Sequence, residues 1–109
     1  MSGRVFGIAF VAAPAEVAET IARALVQSRQ AACAQVTSEV TSMYWWEERM
    51  EEAREKLIIL KTEESSVSTI RELLKELHPY EVPELVFFPI TAGNPDYLAW
   101  LSEVMFKKI

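Results

Sequence analysis

The sequence has one cysteine, one histidine and three glycines in 109 residues, and each shortage removes a class of function. With Cys33 alone, no disulfide can form within the chain, which fits a reducing compartment and makes the cytoplasm the expected location. With His78 alone, no HExxH zinc helix can be written, and a Cys-His or Ser-His catalytic couple would have to use this one ring. Glycines only at positions 3, 7 and 93 leave no Walker loop and no GxGxxG cradle for phosphate. No apolar run reaches the roughly 18 to 20 residues that a bilayer span needs, so no membrane partner is expected. The short apolar stretch 5–14 lacks a convincing cleavage site and reads as a core strand, not a signal peptide. Eleven Lys and Arg against sixteen Asp and Glu give a formal charge of −5 with no basic stripe, so nucleic acid would be repelled.

What is present suits a single domain, 1–109, with one core. Half of the residues are apolar, slightly above the norm for soluble domains, and a subunit interface is one candidate for burying the excess.

Residues 4–12 (RVFGIAFVA) have the near-continuous apolar pattern of a central strand. Pro14 opens a helix with Glu16 and Glu19 in its first turn and an inward stripe of Val17, Ile21, Ala24, Leu25 and Ser28. Residues 36–46 alternate like a strand with unlike faces, one of them carrying Val36, Val40, Tyr44 and Trp46. Residues 47–52 (EERMEE) interrupt this pattern and residues 55–62 (EKLIILKT) resume it, which predicts a hairpin with a charged connection. At about 3.3 Å per residue each arm spans roughly 30 Å, and a domain of this size has a radius of gyration near ~13 Å. The hairpin is therefore expected to extend past its own core.

Ser65 and Ser66 are candidate caps for a second helix with the stripe Val67, Ile70, Leu73, Leu74 and Leu77, which Pro79 stops. Residues 85–90 (LVFFPI) read as a strand that Pro89 confines to an edge or a bulge. Asn94 and Pro95 form an N-cap and first-turn pair for a last helix with Tyr97, Leu98, Leu101, Val104 and Met105 on its apolar face. The order β-α-β-β-α-β plus an extra C-terminal helix is α+β, the split arrangement of ferredoxin-like folds, with two helices on one face of an antiparallel sheet.

Few residues here can carry chemistry. Cys33 lies among alanines, as a small buried residue at a helix-to-strand junction would; the alternative is a reactive or metal-binding thiolate, for which no neighbouring cation is visible in sequence. His78 sits where a helix ends against Pro79, so it is either a hydrogen-bonding residue in a rigid turn or the one good nitrogen ligand for a metal. One His and one distant Cys fall short of a four-ligand zinc site, which leaves a site shared between subunits. The glutamates of residues 47–56 read as a solvated hairpin tip or as loose donors to divalent cations. Trp45 and Trp46 are adjacent and so point to opposite strand faces, one toward its own core and the other toward solvent or a neighbouring subunit. Tyr80, Tyr97 and Trp100 are expected in the core or in pocket walls.

Several blocks, taken in order, resemble the CutA family of divalent-cation tolerance proteins: AACAQV at 31–36, YWWE at 44–47, EKLIILKT at 55–62, HPYEVPE at 78–84 and GNPDYLAWL at 93–101. The resemblance implies a ferredoxin-like subunit in a homotrimer whose long hairpins pair across subunits, with Tyr44, Trp45 and Trp46 in the oligomer interface. It further implies involvement in tolerance of copper and other divalent metals, no accepted enzymatic reaction, no required cofactor, and copper or zinc as the metal concerned. The cleft between subunits usually taken as the functional site corresponds by motif to Cys33, Lys61, His78, Tyr80 and Trp100, with His78 as the metal-ligand candidate. Four positions depart from the family pattern: Glu48 and Arg49 replace the usual Gly-Lys of the hairpin, and Val11 and Leu77 stand where some members have a copper-binding Cys and a second His.

Three functions are compatible with these features: a non-enzymatic trimer that binds or senses divalent metal weakly at intersubunit clefts, a small-molecule signalling trimer resembling the PII type, and an enzyme using Cys33 and His78. The second lacks a long Gly-rich nucleotide loop in its hairpin, and the third requires the thiol and the imidazole to meet.

Overall fold

In a computed structural model describing residues 3–106, the chain alternates β1 (Phe6–Ala13), α1 (Ala15–Gln27), β2 (Cys33–Trp46), β3 (Arg49–Glu63), α2 (Val67–Leu77), β4 (Val86–Pro89) and α3 (Pro95–Phe106). The four strands form one sheet in the order β2-β3-β1-β4, and all three pairings are antiparallel. This is the expected α+β, ferredoxin-like topology with an added C-terminal helix. Among the described residues, no helix is long and apolar enough to cross a membrane.

The core lies between one sheet face and the first two helices. Ala9 and Val11 of β1 and Ile58 and Leu60 of β3 point at Ile21 and Leu25 of α1 and Ile70 and Leu74 of α2, and all are buried. Period-2 strands meeting period-3.6 helices explain that selection. The helix stripe nevertheless differs from the simple reading: α1 buries Ala18, Ile21, Ala22 and Leu25, while Val17 and Ala24 sit at its margin and Ser28 is exposed. Ser66 occupies the position before α2, but its side chain makes no capping bond there. At α3 the expectation holds, since Asn94 Oδ1 accepts a hydrogen bond from the Asp96 N–H at 2.9 Å.

The opposite sheet face is not covered by α1 or α2. Cross-strand register places Phe6, Ile8 and Phe10 of β1, Leu57, Ile59 and Lys61 of β3, Cys33 and Gln35 of β2, and Val86 and Phe88 of β4 together on it. The rings of Phe10 and Phe88 meet edge to face with centroids 5.5 Å apart. Among the described residues, α3 partly roofs the Ile8–Lys61–Phe88 end, which Tyr97 and Leu98 border. An open face this apolar is rare on a monomer.

β2 and β3 are far longer than their neighbours, and residues 40–46 and 49–55 pair only with each other. The ribbon they form makes the molecule 47 Å long against 26 and 24 Å across. The expected extension past the core is real, but its connection is shorter than the charge pattern implies. Residues 49–52 belong to β3, and the turn is Glu47 and Glu48 alone, both left-handed with φ of 50° and 66°. Two positive φ values define the hairpin turn whose twist matches its strands, and without glycine each costs about 1 kcal/mol.

A second departure follows from a bulge. The register runs Val36↔Ile58 and then Glu39↔Lys56, so β2 spends one residue more than β3. Its facing reverses there, and Val36 does not share a face with Val40, Tyr44 and Trp46 as plain alternation implies. Thr37 steadies the irregularity, its Oγ1 accepting a hydrogen bond from the Leu57 N–H at 2.9 Å.

Two variants test this account. Glu48→Gly should raise the unfolding free energy by about 1 kcal/mol in urea titrations, since only the turn strain is relieved. Gly7→Ala should lower it by about 1–3 kcal/mol, because a methyl group there would collide with the Phe88 carbonyl oxygen and lie 2.5 Å from the Phe87 ring.

Candidate functional site

The residues expected to share a cleft fall into two groups at opposite ends of the open face. At one end Cys33 begins β2 directly across the ladder from Lys61, whose Nζ donates to Gln35 Oε1. The cation that no sequence neighbour supplies to Cys33 is thus provided by sheet pairing. Tyr97 borders this end; burial pushes its hydroxyl pKa up, and Cys33 adds to the shift. Trp100 packs on Tyr97 with ring centroids 5.4 Å apart. Lys61, Ile8, Phe88, Tyr97 and the chain at 89–94 enclose a cavity of about 400 Å³.

At the other end, residues 78–84 cross the end of β1. His78 is buried, with Nε2 2.8 Å from the Ala12 carbonyl oxygen, and its Nδ1 accepts a hydrogen bond from the Tyr80 N–H at 3.1 Å. The two bonds define the tautomer, because a nitrogen that accepts an N–H carries no proton; Nε2 is the donor and the ring is neutral. His78 therefore acts as a brace between β1 and the turn. Its role as a metal ligand would require Nδ1 to release the Tyr80 N–H, since no other ring lone pair is free. Nor do Cys33 and His78 meet as a catalytic pair would: Cys33 pairs with Lys61, whereas His78 is held at Ala12, whose partner Leu57 is four residues along β3 from Lys61, about 13 Å at strand spacing.

Beside this brace, the Tyr80 hydroxyl donates to Glu55 Oε2 at 2.7 Å. Glu55 is only 4% exposed. Burial, then the bond and charge of Glu55, drive the Tyr80 hydroxyl pKa well above the ordinary tyrosine value. Burial and the charge of Glu55 likewise raise the Glu84 carboxyl. With Ala12, Ser42, Met43, Tyr44, Trp46, Glu81 and Val82, these groups line a cavity of about 540 Å³ that contains no Lys, Arg or His. It is an aromatic-walled, acidic recess. Trp45 is 74% exposed and Trp46 44%, so neither enters the core of its own chain.

Sequence reasoning did not single out Glu55 or Glu84. For Glu55 a signal existed, because it shares the odd-numbered face of Leu57 and Ile59 and so puts a carboxylate where apolar residues are expected. Among the described residues, no three His, Cys, Asp or Glu side chains stand close enough to hold a metal ion.

The family model of the CutA1 divalent ion tolerance protein matches residues 7–104. The chain belongs to the CutA1 family. Among curated relatives, the divalent-cation tolerance protein CutA of Thermus thermophilus is 47% identical over 88 residues, which cover 81% of this chain and 85% of that protein. Protein CutA of Mus musculus is 44% identical over 97 residues, covering 88% of this chain but 55% of the mouse protein, and the Xenopus laevis homolog is covered to 65%. The chain thus spans little more than half to two thirds of these vertebrate CutA proteins. The solved Thermus thermophilus Cut A1 structure superposes with a TM-score of 0.85 at 42% identity, covering 88% of this chain and 94% of that one. CutA1 from Oryza sativa gives 0.87 at 34% identity, with 92% and 93% covered. The family model and the Thermus thermophilus protein carry the name of divalent ion or divalent-cation tolerance proteins.

The Tyr80–Glu55 bond gives a direct test. Tyr80→Phe should cost about 1–3 kcal/mol at neutral pH, because Glu55 would lose its one hydroxyl partner. Since the folded-state Tyr80 pKa is raised, its contribution is full below the unfolded tyrosine pKa near ~10 and is lost as pH rises through the folded value. Paired denaturation curves of the wild type and the variant should therefore converge only in strongly alkaline solution.

Proposed function

We propose that the chain acts as a homotrimer in tolerance of divalent metal ions, binding copper or zinc weakly in clefts between copies, in a reducing cytoplasmic setting. The observation that carries this reading is the open apolar face of Phe6, Ile8, Phe10, Leu57, Ile59, Val86 and Phe88, continuous with the exposed Tyr44 and Trp46 on the overhanging ribbon, while Trp45 is exposed on the other side of that ribbon. A surface of that kind calls for a partner, and the CutA resemblance makes that partner two further copies. Weak metal affinity follows from the donor supply. Cys33 offers a soft thiolate suited to copper or zinc, His78 is committed to the backbone, and additional donors must come from another copy. Val11 and Leu77 provide no ligating atom.

The role is one of binding, with no catalytic step assigned. The nucleotide-sensor alternative loses support from the two-residue turn at Glu47 and Glu48, which leaves no loop to fold over a ligand.

Light scattering should give three times the chain mass. Calorimetry should then detect copper and zinc binding far weaker than the apparent ~10–16 kcal/mol of structural zinc sites, and Cys33→Ser should weaken it further. A monomer, or a trimer silent toward both metals, would refute the proposal.

A further inference from the structure

Among the described residues, two charged groups on the open face, Lys61 and Glu55, take part in no ion pair. Lys61 stands between Ile8 and Cys33 on neighbouring strands, and its exposed ammonium donates to the neutral amide of Gln35. Glu55 is nearly fully buried, and the hydroxyl of Tyr80 is its partner, while Glu84 faces the same recess. Among the described residues, the ion pairs are Arg4–Glu63, Arg54–Glu39 and Lys75–Glu72, and neither Lys61 nor Glu55 takes part. Covering this face with another copy would strip water from both charges. An unpaired charge buried in this way is strongly destabilising.

We infer that Lys61 of one copy enters the Glu55–Glu84 recess of the next and forms the ion pair that locks the two together. This rests on the oligomeric reading above and adds the specific contact. Lys61 and Glu55 have the same parity on β3 and so share its face, but six residues of strand hold them about 20 Å apart. No side-chain rotation can join them within one chain. Between copies the two unlike ends of the face are complementary, a cation at one and two carboxylates at the other. The recess also suits an alkylammonium group: Tyr44, Trp46 and Tyr80 offer ring faces to the aliphatic stem and the charge, and the volume of about 540 Å³ accommodates a lysine side chain. The register pairing of Cys33 with Lys61 would then bring the thiol to the border of the same intersubunit cleft.

The test is a double-mutant cycle on assembly, read after the wild-type mass is known. Lys61→Met and Glu55→Gln are compared singly and together by measuring the dissociation of the oligomer on dilution. Gln keeps an acceptor for the Tyr80 hydroxyl, and Glu84→Gln, at an exposed position, provides a parallel cycle should Glu55→Gln fail to fold. Each single change of Lys61 or Glu55 should weaken assembly about 30-fold or more, and the double variant should be no weaker than the worse single one. Lys61→Arg, which keeps the charge, should recover most of the loss. Independent, additive losses, or a Lys61→Met oligomer as tight as the wild type, would overturn the ion pair and leave the oligomer standing. A monomeric wild type would remove the oligomeric reading itself.

Discussion

The β2–β3 ladder is the constraint on which the rest of the molecule depends. Its inner half carries β1 and the helical layer, and its outer half projects beyond them with no third strand beside it. Because residues two apart share a face, the ladder also sets the spacing of the chemistry. Lys61 and Cys33 stand at its inner end and Glu55 near the middle, on one side of the sheet. The two halves of the candidate site are held apart as on a ruler, and no loop motion can shorten the distance.

Much of this arrangement is legible in the amino-acid sequence, for identifiable reasons. The element order follows from hydrophobic periodicity, the place of β4 at an edge from Pro89, and the start of α3 from Asn94 and Pro95. The bulge at Thr37 and Ser38 was hidden because the residues around it alternate in either facing. The length of β3 was hidden by Arg49, Met50, Glu51 and Glu52, whose polarity resembles a loop but belongs to a ribbon wet on both sides. The turn was obscured for a related reason, since a pair of glutamates gives no sign of left-handed backbone.

The candidate site divides along similar lines. Motif resemblance picked out Cys33, Lys61, His78, Tyr80 and Trp100, but a motif does not say which of these touch within one chain. Pairing across the ladder decided that Cys33 adjoins Lys61, and the passage of residues 78–84 across the end of β1 brings Tyr80 to Glu55. His78 shows the limit most clearly. Its rarity draws attention as chemistry, yet its two nitrogens are spent on holding Ala12 and Tyr80 at fixed separation, so its contribution to the recess is positional. The carboxylate that matters most there, Glu55, was grouped in sequence with the glutamates of a solvated hairpin tip, whereas it is buried.

The outer side of β2 has a different consequence. Alternate residues along that fourteen-residue strand present unpaired backbone donors and acceptors on the sheet edge, and β4 closes the far edge with only four residues, one of them a proline. A lone copy is therefore a template for indiscriminate strand addition. For newly made chains, finding their proper partners becomes a race against aggregation, and the dilute, unassembled molecule is the form most exposed to that hazard.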